Sequence, residues 1–215
     1  LNDYNIPLLL RHTVTDIRGK NRLESVVVSE IDTCGCPIPG TEKEYICDTL
    51  LLSVGLLPEI ELPYAAGIVL DPRTRGPRVN ESMETSLPGI FACGNVAHVH
   101  DLVDYVTLES QKAGRYAARY IRDLSDDRPG FPTVAGEGIG YIVPQEIRPG
   151  NCDDMLELYF RVKHVYKICK LVLRIDDKVV KSYQKKHLTP GEMQHLRIPH
   201  EMFCRASSLG LDIEA

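Results

Sequence analysis

The sequence predicts a partial α/β layered fold with one main helix, followed by a mostly antiparallel, β-sandwich-like domain. Three patterns predict it. Apolar and β-branched runs recur up to Gly55, one helical apolar period spans about Asp104 to Leu124, and period-two alternation takes over beyond Pro129. Three segments follow from these patterns: 1–57, 58–128 and 129–215.

The first segment reads as a twisted antiparallel unit. Leu8-Leu9-Leu10, Thr13 to Gly19 and Ser25 to Ser29 are strand-like, with Gly19-Lys20-Asn21 as the turn between the last two. Pro37-Ile38-Pro39-Gly40 marks a loop. Cys47 to Val54 is a continuous apolar run closed by Gly55, the pattern of a strand buried on both faces of a layered sheet.

In the second segment Gly67-Ile68-Val69-Leu70 and Arg78-Val79 flank a turn from Asp71 to Pro77. Pro88-Gly89-Ile90-Phe91-Ala92-Cys93-Gly94-Asn95 reads as a short strand ending in a small-residue turn. The helix follows, with its apolar face expected at Val106, Ala113, Ala117, Tyr120 and Leu124. Asp104 and Glu109 stand near its start and Arg119 and Arg122 near its end, as the helix dipole favours.

Beyond Ser125-Asp126-Asp127-Arg128-Pro129-Gly130 the period changes. Leu156, Leu158, Phe160 and Val162 alternate with Glu157, Tyr159, Arg161 and Lys163. Cys169, Leu171, Leu173 and Ile175 repeat the pattern before an Asp176-Asp177 turn. These are strands with one buried and one wet face.

Composition narrows the function classes. The 215 residues are 43% hydrophobic and 26% charged, with a formal net charge of -5. No concentrated basic surface of a nucleic-acid binder is present; Lys181, Lys185 and Lys186 fit a solvated strand face instead. No apolar run is long enough to span a bilayer, and no signal peptide is recognisable. The seven cysteines, an odd number, suit a reduced, cytoplasmic setting. The chain opens Leu1-Asn2-Asp3 and runs at once into apolar sequence, which reads as a fragment of a longer protein.

Two segments carry the chemical signal, Cys47 to Pro58 and Thr85 to Val96 with the helix behind it. In the second, Gly94 lets backbone approach a ligand, and Asn95 can donate and accept hydrogen bonds as a polyol chain requires. The helix N-terminus brings partial positive charge to the same place, where a group gaining negative charge on reduction is stabilised. The same strand–turn–helix arrangement also occurs in layered α/β proteins generally.

Together, and in this order, the two segments resemble the C-terminal part of the pyridine nucleotide-disulfide oxidoreductases, over roughly the first 125 residues. The run from Asn95 to Val106 resembles a thioredoxin-reductase-like subgroup that carries an extra C-terminal β domain. The resemblance implies an incomplete FAD/NAD(P)-binding layered fold. Residues 1–57 would close the NAD(P)-binding domain, 58–128 would end the FAD-binding domain, and 129–215 would be an accessory β domain. It further implies that Gly94 and Asn95 line FAD, Asn95 at the ribityl chain where the family usually has Asp. Val106 and Thr107 would present helix amides to the flavin's pyrimidine edge. No G-x-G-x-x-G follows a strand, so neither FAD nor NAD(P) has its pyrophosphate turn in this chain.

The implied function is hydride or electron transfer between NAD(P)H, FAD and an unidentified second substrate. The chain by itself is expected to bind FAD weakly and to be inactive, and no catalytic residue is assigned. Implied partners are the missing N-terminal half, a partner flavoprotein dehydrogenase subunit or a second copy of the chain. The alternative is an assembly module working through the C-terminal β domain. No metal site is expected: Cys34-Gly35-Cys36 looks like a hairpin tip without further ligands nearby, and His98-Val99-His100-Asp101 like a loop beside the flavin. His164, His187, His195 and His200 look scattered.

Overall fold

The computed structural model describes residues 1–126 and 128–215, so the expected linker at Ser125 to Gly130 contains one position, Asp127, outside the described residues. The chain forms two compact units, residues 1–55 and 56–215.

The first unit is an antiparallel meander of β1 (His12–Arg18), β2 (Ser25–Glu30) and β3 (Lys43–Ile46) in that order. The central strand is the buried one, through Val26 and Val27. The β1–β2 turn needs glycine: Gly19 has φ 137°, and a Cβ there would collide with the Arg22 carbonyl.

Two expected strands are not formed. Leu8 to Leu10 are exposed and outside any strand, and so is the run after Ile46. Leu51 is 90% and Val54 88% exposed. A buried strand is defined by neighbours that pair with both its edges, and among the described residues none pairs with 47–55. Apolar content without a partner does not make a strand.

The second unit opens with a short helix, α1 (Glu61–Ala65). A tight turn over 71–77 follows, closed by the Leu70–Pro77 bridge and by the Asp71 carboxylate, which accepts the Arg73 and Thr74 amides at 2.9 Å each. The stretch 88–95 is not a strand. Phe91 makes a single bridge to Glu84, and Gly94–Val96 coil into a 3-10 turn. The main helix, α2, runs Val103–Ile121.

Its buried face differs from the expected one. Ala113 is buried, but its companions are Glu109 and Tyr116, whereas Tyr120 and Leu124 are exposed. Positions 109, 113 and 116 still follow helical spacing, so the stripe is rotated rather than absent. Glu109 lies a turn and a half inside the helix, and its role there is burial rather than dipole compensation.

Eight strands complete the unit: β4 (Phe131–Ala135), β5 (Ile139–Val143), β6 (Glu146–Ile147), β7 (Met155–Val162), β8 (Tyr166–Ile175), β9 (Lys178–Leu188), β10 (Gln194–Pro199) and β11 (Leu209–Glu214). They form a three-stranded sheet, β10-β7-β5, and a five-stranded sheet, β6-β4-β11-β8-β9. Every pairing is antiparallel except β11 with β4. The alternation read from sequence is what fills the space between them: Leu156, Leu158 and Phe160 of β7 meet Leu171 and Leu173 of β8, with Phe203, Leu209 and Leu211. Full burial of each such side chain contributes about 1.5–3 kcal/mol. The β8–β9 turn holds Asp176 and Asp177 at φ 48° and 62°, the left-handed pair that a tight hairpin turn requires.

Candidate functional site

A second, smaller core joins the 3-10 turn, α2 and β5 through Val79, Met83, Ala92, Ala97, Ala113 and Val143. It fixes the segment from Cys93 to Asp101, where the sequence placed its candidate residues. Gly94 is buried with φ 65°, and a Cβ on it would stand 3.0 Å from Val106 Cγ1. The glycine therefore answers two needs, a left-handed backbone and close contact with α2. Asn95 is exposed; its Oδ1 accepts the His100 amide at 3.1 Å, closing the loop and leaving the rest of the side chain to solvent.

The helix begins at Val103, with Leu102 as its N-cap and no side chain capping the amides there. Val106 and Thr107 were expected to offer amides outward. Helical register instead points their N–H groups at the carbonyls of Leu102 and Val103, and the free donors fall earlier in the first turn. Val106 supplies its side chain against Gly94, and the Thr107 hydroxyl donates to the Val103 carbonyl at 3.1 Å.

The centre of the site is the His98, His100 and Glu109 group. Their side chains are 0%, 0% and 1% exposed. Glu109 Oε1 lies 2.7 Å from His98 Nε2, and Oε2 lies 2.9 Å from His100 Nε2 and accepts the Gly94 amide at 2.8 Å. The His100 contact is close but lacks the alignment of a hydrogen bond, so neither nitrogen of that buried ring is hydrogen-bonded. Burial acts to raise the Glu109 pKa, but the two adjacent imidazoles and their contacts outweigh it and hold the carboxyl at about 2. Burial pushes His98 below the ordinary histidine value, against the pull of Glu109.

Around this group stands a wall of rings. Tyr159 lies 5.8 Å from His98 and 5.5 Å from His100, centroid to centroid, and stacks on His195 at 4.7 Å. Tyr105 and Tyr141 complete it. Arg161 of β7 ties the loop down: it pairs with Asp101, donates to the Val99 carbonyl at 3.1 Å and to the Tyr141 hydroxyl at 3.0 Å. Asp101 also accepts the Met193 amide. The strands after Pro129 thus supply Tyr141, Tyr159, Arg161 and His195 to the surroundings of the motif, where the sequence reading put Tyr159 and Arg161 on a wet strand face and His195 among scattered histidines; Tyr159 is buried instead.

The remaining candidates stay apart. Cys34 and Cys36 are exposed at the tip between β2 and β3, where Asp32 Oδ1 accepts both their amides at 2.8 and 2.9 Å. All seven cysteines are free thiols. Cys93 makes a 3.6 Å contact with the Ser110 hydroxyl.

The family model described as pyridine nucleotide-disulphide oxidoreductase matches residues 1–118, which include the Gly94 turn and most of α2. The chain belongs to this family. Its similarity extends to a ferredoxin–NADP reductase of Picrophilus torridus, 26% identical over 121 residues, covering 54% of this chain and 35% of that protein. A thioredoxin reductase of Treponema pallidum is 29% identical over 133 residues, 59% of this chain and 38% of that one. An NADH oxidase of Streptococcus pneumoniae is 33% identical over 102 residues, 47% and 19%. The chain thus spans well under half the length of these relatives. Among the described residues no helix is long and apolar enough to cross a membrane.

The family implies FAD, and the residues at the Gly94 turn fit one edge of it. The uncapped, exposed first turn of α2 offers unpaired amides, Gly94 brings backbone close to that turn, and the outward part of Asn95 is free to hydrogen-bond. Glu109 was the residue that sequence reasoning missed. Its signal was a carboxylate in helical phase with Val106 and Ala113, three residues after one and four before the other.

Proposed function

We propose that this chain serves a flavin-dependent oxidoreductase in which NAD(P)H, FAD and a second substrate exchange a hydride or electrons. The observation that carries the reading is the coincidence of the family match with an uncapped helix start packed on a left-handed glycine. FAD, when bound, supplies the hydride chemistry. The chain's own residues bind and orient. The first-turn amides of α2 would face the flavin's pyrimidine end and stabilise charge gained there on reduction, and Asn95 would meet the ribityl chain. Glu109 holds the Gly94 amide, and Arg161 fixes the loop from Val99 to Asp101, so the rim keeps its shape without reorganising.

The test is spectroscopic. The natural polypeptide containing this sequence should purify yellow, with flavin absorbance that bleaches anaerobically on adding NADH or NADPH. A colourless polypeptide that takes up no FAD would overturn the reading.

A further inference from the structure

We propose that His98, His100 and Glu109 bind one divalent transition-metal cation of the zinc class. The donor atoms of these three residues lie within 4.8 Å of one another, all buried. Two imidazoles and a carboxylate are a donor set suited to such a cation, with a fourth position left for water or another oxygen.

Three features support a cation site. Both nitrogens of His100 and Nδ1 of His98 are buried without a hydrogen-bond partner, and so are the Tyr159 hydroxyl and His195 Nε2 in the same cluster of rings. Buried polar atoms are almost always partnered, and five orphans together mark a place built around something polar. The charge is also incomplete. Glu109 is a buried carboxylate contacted by two imidazoles, and among the described residues no lysine or arginine pairs with it. Arg161, beside the loop, is committed to Asp101, Val99 and Tyr141. Finally, the site is stiff: the loop is held by Glu109 on one side and by Arg161 on the other.

Zinc bonds of about 2.0–2.1 Å set tetrahedral donors roughly 3.3 Å apart. The present separations of 2.7 and 2.9 Å therefore open by about half an ångström when the cation enters. Coordination through Nε2 leaves the proton of each neutral ring on Nδ1.

The inference is independent of FAD. The 215-residue chain, stripped with chelator, would be titrated with Zn²⁺ or Co²⁺ alone and followed by equilibrium dialysis, elemental analysis and cobalt ligand-field absorption. One tightly held equivalent is expected. His100→Asn and Glu109→Gln should each weaken binding by at least about 100-fold. The double variant Cys34→Ser/Cys36→Ser should bind like the parent. Failure of the parent chain to bind an equivalent overturns the proposal, as does binding lost with the cysteines or retained in His100→Asn. Should the histidine variants not fold, ¹⁵N imidazole shifts of the parent chain decide: unchanged Nε2 resonances on adding Zn²⁺ would reject the site.

Discussion

His98 Nε2 and Glu109 Oε1 meet at 2.7 Å across eleven positions of chain, joining the loop after the 3-10 turn to the interior of α2. The same carboxylate holds the Gly94 amide, so one side chain sets the distance between glycine turn and helix.

Glu109→Ala in the presence of chelator removes the acceptor of two buried donors. With each orphan costing about 1–3 kcal/mol, the loss of stability should be about 2–6 kcal/mol. Urea unfolding of parent and variant measures it, and a change below about 0.5 kcal/mol would contradict the burial described.

Gly76→Ala should be among the most damaging small substitutions. A Cβ at Gly76 would run into the carbonyl oxygens of Val96 and Ala97, main-chain atoms that cannot step aside as a flexible side chain can. Gly114→Ala, where a Cβ meets nothing, is the control and should be neutral or slightly stabilising, as helix propensity dictates. Thermal melts of the two variants should separate clearly.

Arg161→Lys keeps the charge and loses the fork that serves Asp101, Val99 and Tyr141 at once. A destabilisation of about 1–3 kcal/mol is expected, with faster amide exchange confined to the loop from Val99 to Asp101. Exchange measured by mass spectrometry that leaves this loop unchanged would rule out its anchoring by Arg161.

Thiol labelling should sort the cysteines by environment. Cys34, Cys36 and Cys204 are exposed and should react at once. Cys152, whose thiol burial pushes up to about 12, and the buried Cys169 should react only on unfolding. Counting released thiolate before and after denaturant, with peptide mapping, checks the assignment.

Glu81 gives the pH dependence. It is fully buried, and burial raises its carboxyl above the ordinary 4.5, although the Arg148 amide at 2.6 Å and the Ser82 hydroxyl at 2.8 Å act to lower it. The folded state then holds this proton more tightly than the unfolded state. The associated stability is present below about pH 4.5 and is lost as pH rises through the folded value. Glu81→Gln should therefore gain on the parent between pH 4 and pH 7, read as the difference in urea midpoint. A pH-independent difference would refute it.

What the sequence made legible divides along physical lines. The alternation of Leu156, Leu158 and Phe160 is a local consequence of strand geometry and survives into the structure. The run from Cys47 to Val54 does not, because a strand's pairing depends on neighbours that its own residues cannot specify. Around the site, Gly94 and the histidine pair were visible as motif residues. Glu109 was read as compensating the helix dipole because its burial depends on His98 and Gly94 closing over it, and Tyr159, Arg161 and His195 arrive from strands far along the chain. Such convergence leaves no spacing to read.

Among the described residues β9, the last strand of the five-stranded sheet, pairs on one side only, with β8, and leaves its other edge open over Lys178–Leu188. Lys178, Lys181, Lys185 and Lys186 stand along it. Another copy seeking to extend the sheet would have to bring four positive charges against its own four, and like-charge repulsion at ladder spacing opposes that registry. The edge is therefore self-terminating: crowding the protein should not convert it into a growing β-ribbon until those ammonium groups are neutralised or removed.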